Sequence, residues 1–203
     1  MSKKPLIVFE GIEGSGKSYH INKLANYLTK KKKRFIKIRE PGGNKNSEKI
    51  RSLILDNKST FNKNTDLLLY LSARSENIDL IKKNYGKKII LIDRFIDSTL
   101  AYQHYGFGVN INFIKSINDF LLKDINVDFT FLNLVNPKNM KIRLHKRKKL
   151  NRYDKFSASF YKKVQGGFIK ILKKNPKKYM KINSNLNIDD NQNMILSKVK
   201  EII

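Results

Sequence analysis

The sequence predicts an α/β domain built on a parallel five-stranded sheet with helices on both faces. Three observations predict it. Short apolar runs alternate with helix-period patterns to the end of the chain, the signature of a βαβ series. The first apolar run leads through a glycine loop, F-E-G-I-E-G-S-G-K-S (9–18), directly into a helical pattern. Polar residues with chemical potential gather just after the first three apolar runs, where open parallel sheets bind ligands.

Each element follows in order. Residues 5–10 form a β-branched apolar run that reads as a buried strand. Gly11, four residues, then Gly16, Lys17 and Ser18 match the phosphate-binding loop G-x-x-x-x-G-K-[ST]. Backbone N–H groups and a helix N-terminus then face anionic oxygens, so Gly11, Ile12, Glu13, Gly14, Ser15, Gly16, Lys17 and Ser18 are the candidate ATP-binding residues. Lys17 is expected to reach the β- and γ-phosphates and Ser18 to ligate Mg²⁺. Tyr19 to Lys32 carries Ile21, Leu24, Ala25 and Leu28 at helical spacing. A second strand, 34–39, ends in Arg39-Glu40-Pro41-Gly42-Gly43, and the polar stretch from Gly42 to Asn64 holds one helix near 48–55. The strand at 87–92 ends in Asp93-Arg94, and Asp93 has the position of a carboxylate that orients Mg²⁺. Strands at 127–135 and 179–183 complete the sheet, and 189–203 reads as a final amphipathic helix. The basic stretch 143–154 interrupts the core pattern and reads as a mobile lid on a single domain, 1–203.

Composition narrows the classes. The 203 residues are 40% apolar, enough for one full α/β core. Absence of cysteine excludes disulfides and thiolate metal sites, and the three histidines are too dispersed for a metal set. There is no 18-residue apolar run and no signal-like apolar region at the N-terminus, so the expectation is a soluble cytoplasmic protein without a membrane partner. The net charge of +26 suggests nucleic acid, but the lysines are diffuse and accompanied by many Asn and Ile. That mixture fits an A/T-rich codon bias, and no specific nucleic acid is expected. Arginine is then the informative cation. The chain has eight, Arg34, Arg39, Arg51, Arg74, Arg94, Arg143, Arg147 and Arg152, each a candidate for bidentate work that lysine does poorly.

Six stretches together, F-E-G-I-E-G-S-G-K-S, R-E-P-G-G, E-K-I-R-S-L-I-L, L-L-L-Y-L-S-A-R, D-R-F-I-D-S-T-L-A-Y-Q and N-R-Y-D, occur in an order that resembles thymidylate kinases over nearly the whole chain. The resemblance implies a P-loop nucleoside monophosphate kinase-like fold, phosphorylation of dTMP to dTDP by ATP with Mg²⁺ for dTTP synthesis, and a homodimer. It also implies substrate roles. Arg39 and Arg94 resemble the phosphate-binding arginines, and Glu13 the acidic residue facing the sugar 3′-hydroxyl. Tyr70 stands where a Phe usually stacks on thymine, and Arg74, one helical turn on, is similar to the donor to base O4. Thr99 and Tyr102 match positions that read the base edge and crowd the 2′ position. The phosphate loop carries no arginine, and family members of that kind draw cations from the lid. Arg147 and Arg152 are therefore expected to be catalytic beside Lys17 and Arg94. Another nucleoside or nucleotide kinase, or a nucleic-acid-dependent ATPase, remain as rival readings.

Overall fold

The computed structural model describes residues 3–203. Its sheet has five parallel strands, β1 (Leu6–Glu10), β2 (Phe35–Arg39), β3 (Ile89–Asp93), β4 (Phe129–Leu134) and β5 (Tyr179–Asn183), in the order β2-β3-β1-β4-β5. Each strand lies within two residues of the stretch expected for it.

Why β1 sits centrally is visible in its side chains. All five residues are fully or almost fully buried, which only a strand covered on both faces can achieve. Alternation sends Ile7 and Phe9 to one face, against Leu24 and Leu28 of α1 (Lys17–Lys30) and Ile195 and Val199 of α8 (Ile188–Ile202). Leu6 and Val8 go to the other, against Ile78 and Ile81 of α3 (Lys63–Asn84) and Leu122 of α5 (Ile111–Leu122).

The connections explain where the ligand cleft must be. From β1 the chain runs outward to β2, returns to β3, then crosses past β1 to β4. The carboxyl ends of β1 and β3 therefore lie side by side where connections diverge, the usual position of a binding crevice. Between β2 and α3 lies α2 (Lys45–Leu55), capped by Asn44, whose side chain accepts from Ser47 N at 2.8 Å. After β3 a short helix α4 (Ile96–Thr99) runs into a π-helical turn, Leu100–Gly106, closed by Phe107 N donating to Tyr102 O at 2.9 Å. No sequence period marks that turn.

A third cluster closes the far side of the crevice. Tyr102 packs with residues of α6 (Pro137–His145), the 3₁₀ turn Arg152–Lys155 and α7 (Ala158–Lys174). Close approach of α7 to the π-helical turn needs Gly167, where an added Cβ would stand 2.6 Å from the Tyr105 ring. That bare spot is how the bulky Gln103-His104-Tyr105 segment is accommodated. The stretch 143–154, expected as a lid, divides between elements. Arg143 belongs to α6, and only 146–151 lie between α6 and the 3₁₀ turn. Among the described residues no helix is long and apolar enough to cross a membrane.

Candidate active site

The phosphate loop is shaped by its glycines. Gly11 and Gly16 adopt φ of 137° and 87°, and a Cβ on Gly11 would run into the Asn133 carbonyl oxygen. Gly16 leads into α1, so the helix N-terminus opens onto the loop. Lys17 Nζ lies inside it, donating to the carbonyls of Gly11 at 2.8 Å and Ile12 at 2.9 Å. Burial, and next the Arg94 guanidinium, push Lys17 down to about 7. Ser18 Oγ donates to Asp93 Oδ2 at 2.9 Å, placing two hard oxygens together at the floor of the cleft.

Facing the loop is a cleft of about 180 Å³ lined by residues from β2, α2, α3, the segment after β3 and the stretch 147–153. It brings together Glu13, Lys17, Ser18, Arg39, Tyr70, Arg74, Asp93, Arg94, Thr99, Tyr102 and Arg147, residues spread over more than half the chain. Arg94 is held in a left-handed conformation, φ 66°, and donates to Gly11 O and Glu13 Oε1, at 2.9 and 2.8 Å. Burial is the largest single influence and works against its charge, but Glu13, Tyr102, Asp93 and Glu10 together outweigh it and the net shift is upward. Tyr102 OH donates to the second oxygen of Glu13. Burial, with Glu13 adding to it, holds that phenol well above its ordinary range. Arg39 forms a bidentate pair with Glu48 at the open end of the cleft, its side chain half exposed.

At the closed end Arg74 is 2% exposed. Its guanidinium donates to Glu40 Oε2 at 2.8 Å, Asn118 Oδ1 at 2.6 Å and Thr99 Oγ1 at 3.0 Å. Beside it, Gln103 Nε2, Glu40 Oε1 and Asn118 Nδ2 are buried without a partner among the described residues. A buried polar group left unpaired is costly, so these atoms are the hydrogen-bonding capacity this end of the cleft still has to offer.

The structure corrects one expectation. Arg152 does not line the cleft. Its guanidinium turns into the seam between lid, α2 and α3, donating to Asp66 Oδ1 and, at 3.1 Å, to Ile54 O. A buried carboxylate draws a guanidinium more strongly than open solvent does, and Asp66, 86 residues away, was not visible as its partner. Arg147 does face the cleft, with its side chain 41% exposed and paired to Asp154. Two arginines to which the sequence reading gave no role also appear. Arg51 lines the cleft and donates to Pro41 O at 2.6 Å. Arg143 donates from α6 to Gly14 O in the phosphate loop at 3.0 Å. Arginine scarcity was the available signal for both.

Glu10, the last residue of β1, ties the two halves of the site. Its Oε1 accepts from Phe95 N at 2.8 Å and Ser98 N at 3.2 Å, and its Oε2 from Ser98 Oγ. A strand carboxylate thus caps the short helix that follows Arg94. Burial, and next the charge of Asp97, raise Glu10 from 4.5 to about 7. A raised carboxyl binds its proton more tightly folded than unfolded, so its contribution to stability is lost as pH rises from about 4.5 to about 7. The melting temperature of Glu10→Gln should therefore gain on that of the wild type between pH 5 and pH 8. A constant gap across that range would contradict the assigned proton.

A parallel sheet in this order, with a phosphate loop after its first strand and a carboxylate beside that loop after the third, defines a P-loop kinase of the nucleoside monophosphate type. The family model for thymidylate kinase matches residues 9–195. A thymidylate kinase of Acholeplasma laidlawii is 39% identical over 199 residues, covering 95% of this chain and 97% of the relative. One from Thermosipho africanus is 39% identical over 169 residues, covering 82% and 84%. The crystal structure of thymidylate kinase from Ehrlichia chaffeensis superposes with a TM-score of 0.78 at 31% identity, covering 98% of this chain and 99% of that one. The chain belongs to the thymidylate kinase family.

Proposed function

We propose that this chain transfers the γ-phosphoryl group of ATP to dTMP, giving dTDP, in a homodimer acting in the cytoplasm. The observation that carries this reading is the single cleft in which the phosphate loop meets two arginines on one side and an arginine-centred polar pocket on the other. Phosphoryl transfer needs little covalent help from protein; it needs alignment and neutralisation of charge over the moving group. Lys17 and the loop N–H groups hold the donor phosphates. Arg94 and Arg39 hold the acceptor monophosphate in line, with Arg147 reaching in from the lid. Ser18 and Asp93 are the oxygen donors that would hold Mg²⁺, which would supply positive charge beside the donor phosphates. Glu13 orients Arg94 and Tyr102 around the sugar. Tyr70 offers a ring face to the base, and the Arg74 pocket, with the unpaired Gln103 amide lining the same cleft, offers donors to the base edge.

A panel of nucleoside monophosphates with ATP and Mg²⁺ tests the reading. dTMP should be the best acceptor, dUMP weaker by the roughly 1–3 kcal/mol that one methyl is worth, and dCMP poor because its amino group meets the Arg74 donors. Preference for dCMP or AMP would refute the base-pocket assignment. A dimer has a candidate face in Phe113 and Phe120, seven residues apart on α5 and both exposed. Light scattering that returns the monomer mass of 23.7 kDa would remove the dimer from the proposal.

A further inference from the structure

Asp66, in the first turn of α3, is 2% exposed, and both partners of its carboxylate come from the lid. Arg152 pairs with Oδ1, and Tyr153 OH donates to Oδ2 at 2.7 Å. One turn further along the same helix stands Tyr70. Its ring meets that of Tyr153 edge-on, with centroids 5.8 Å apart and planes at 81°. Tyr153 and Tyr70 both line the cleft. The same turn is held from behind by Tyr161 OH, which donates to Tyr153 O. By contrast 146–149 are exposed throughout, and Leu150 O is held by Asn57 Nδ2 at 2.9 Å.

We propose that Asp66 is a positioning residue that seats the lid on α3, fixing Tyr153 as the wall of the cleft opposite Tyr70. The proposal deepens the kinase reading and rests on it for the identity of the Tyr70 side as the acceptor subsite. Its physical basis is the cost of an unpaired buried carboxylate. A lid movement that lifted Arg152 and Tyr153 together would strand Asp66 without donors. The turn Arg152–Lys155 is therefore the fixed root of the lid, and the basic stretch 146–149 is the part that swings. Arg152 serves the reaction through this seat and not by touching phosphate. Arg147, on the swinging part, keeps the cation role. The seat also makes the lid report on the acceptor: a base beside Tyr70 touches the wall that Asp66 holds.

The test compares wild type, Asp66→Asn and Arg152→Gln, all as full chains. Two readouts are taken: trypsin cleavage after residues 146–149, located by mass spectrometry without nucleotide, and steady-state constants for dTMP and ATP. Loss of a charged hydrogen bond predicts about a tenfold faster cut in the lid, with cuts elsewhere unchanged. KM for dTMP should rise by about the same factor and KM for ATP by less than about twofold. Arg152→Gln removes the lid-side partner and should reproduce both effects if Asp66→Asn does not fold. Unchanged lid cleavage in a folded variant overturns the seat, as does faster cleavage at all sites alike or a rise confined to KM for ATP. Wild-type protein inert toward dTMP would defeat the kinase reading, while the nucleotide-free cleavage would still decide the seat.

Discussion

Lys17→Ala should lose at least ~10²–10³ in turnover while remaining folded, the scale for removing one transition-state donor. The Nζ atom reaches only loop groups, the carbonyls of Gly11 and Ile12 and the Ser15 hydroxyl at 3.3 Å. Lys17 itself lines the cleft and belongs to none of the hydrophobic clusters, so its truncation leaves the core untouched. What Ala cannot supply is an ammonium donor to the phosphates. Burial lowers the Lys17 pKa to about 7, and the negative charge of a bound triphosphate would favour its cationic form. Turnover with saturating ATP and dTMP, alongside a thermal melt, checks the claim. Near wild-type turnover would place the phosphate chemistry elsewhere.

The second large effect is on stability. Arg74→Ala should destabilise the fold by about 3–5 kcal/mol, the cost of stranding one partner of a buried ion pair. For a chain of this size that lowers the melting temperature by roughly 6–20 °C. Glu40 would be left charged at 5% exposure, and the acceptors on Asn118 and Thr99 would lose their donor. A paired replacement separates structure from function. Arg74→Met with Glu40→Leu removes both charges and should recover much of the stability, since apolar substitutes for buried pairs are often neutral. It should recover none of the activity, because the base loses its donors. Denaturant melts and dTMP turnover on both variants measure the two halves. Arg74→Ala melting like the wild type would show that the pair carries no net stability.

What could be read in advance depended on distance along the chain. The phosphate loop and its flanking strand and helix are contiguous, so their meaning survives without any tertiary knowledge. Tyr70 and Arg74 share a helical face and could be paired by spacing alone. The network behind Arg74 could not, because Glu40 and Asn118 come from 34 residues before and 44 after it. Arg152 shows the same limit in sharper form. The scarcity of arginine marked it for attention, but its partner Asp66 lies 86 residues away in another element, and no spacing in the sequence pairs the two. Arg51 and Arg143 carried the same mark, and only the fold shows that one lines the cleft and the other grips the phosphate loop. Glu10 was hidden for a different reason. A carboxylate closing an apolar strand gives no periodic signal of the helix it caps.

The π-helical turn at Leu100–Gly106 has a consequence for the length of the chain as well as its composition. A turn closed five residues on, as Phe107 N to Tyr102 O closes this one, holds one residue more than an ordinary helical turn. That extra residue lets Tyr102 and Gln103, adjacent in the chain, both line the cleft, while Leu100 and Phe107 pack against the apolar side of α3. Delete any one residue there and the helix can relax to its commoner form, but everything downstream rotates by about 100° relative to Thr99. Every residue type the cleft requires could survive such a deletion, and the base would still meet the wrong ones. Specificity at this wall is thus stored partly as a count.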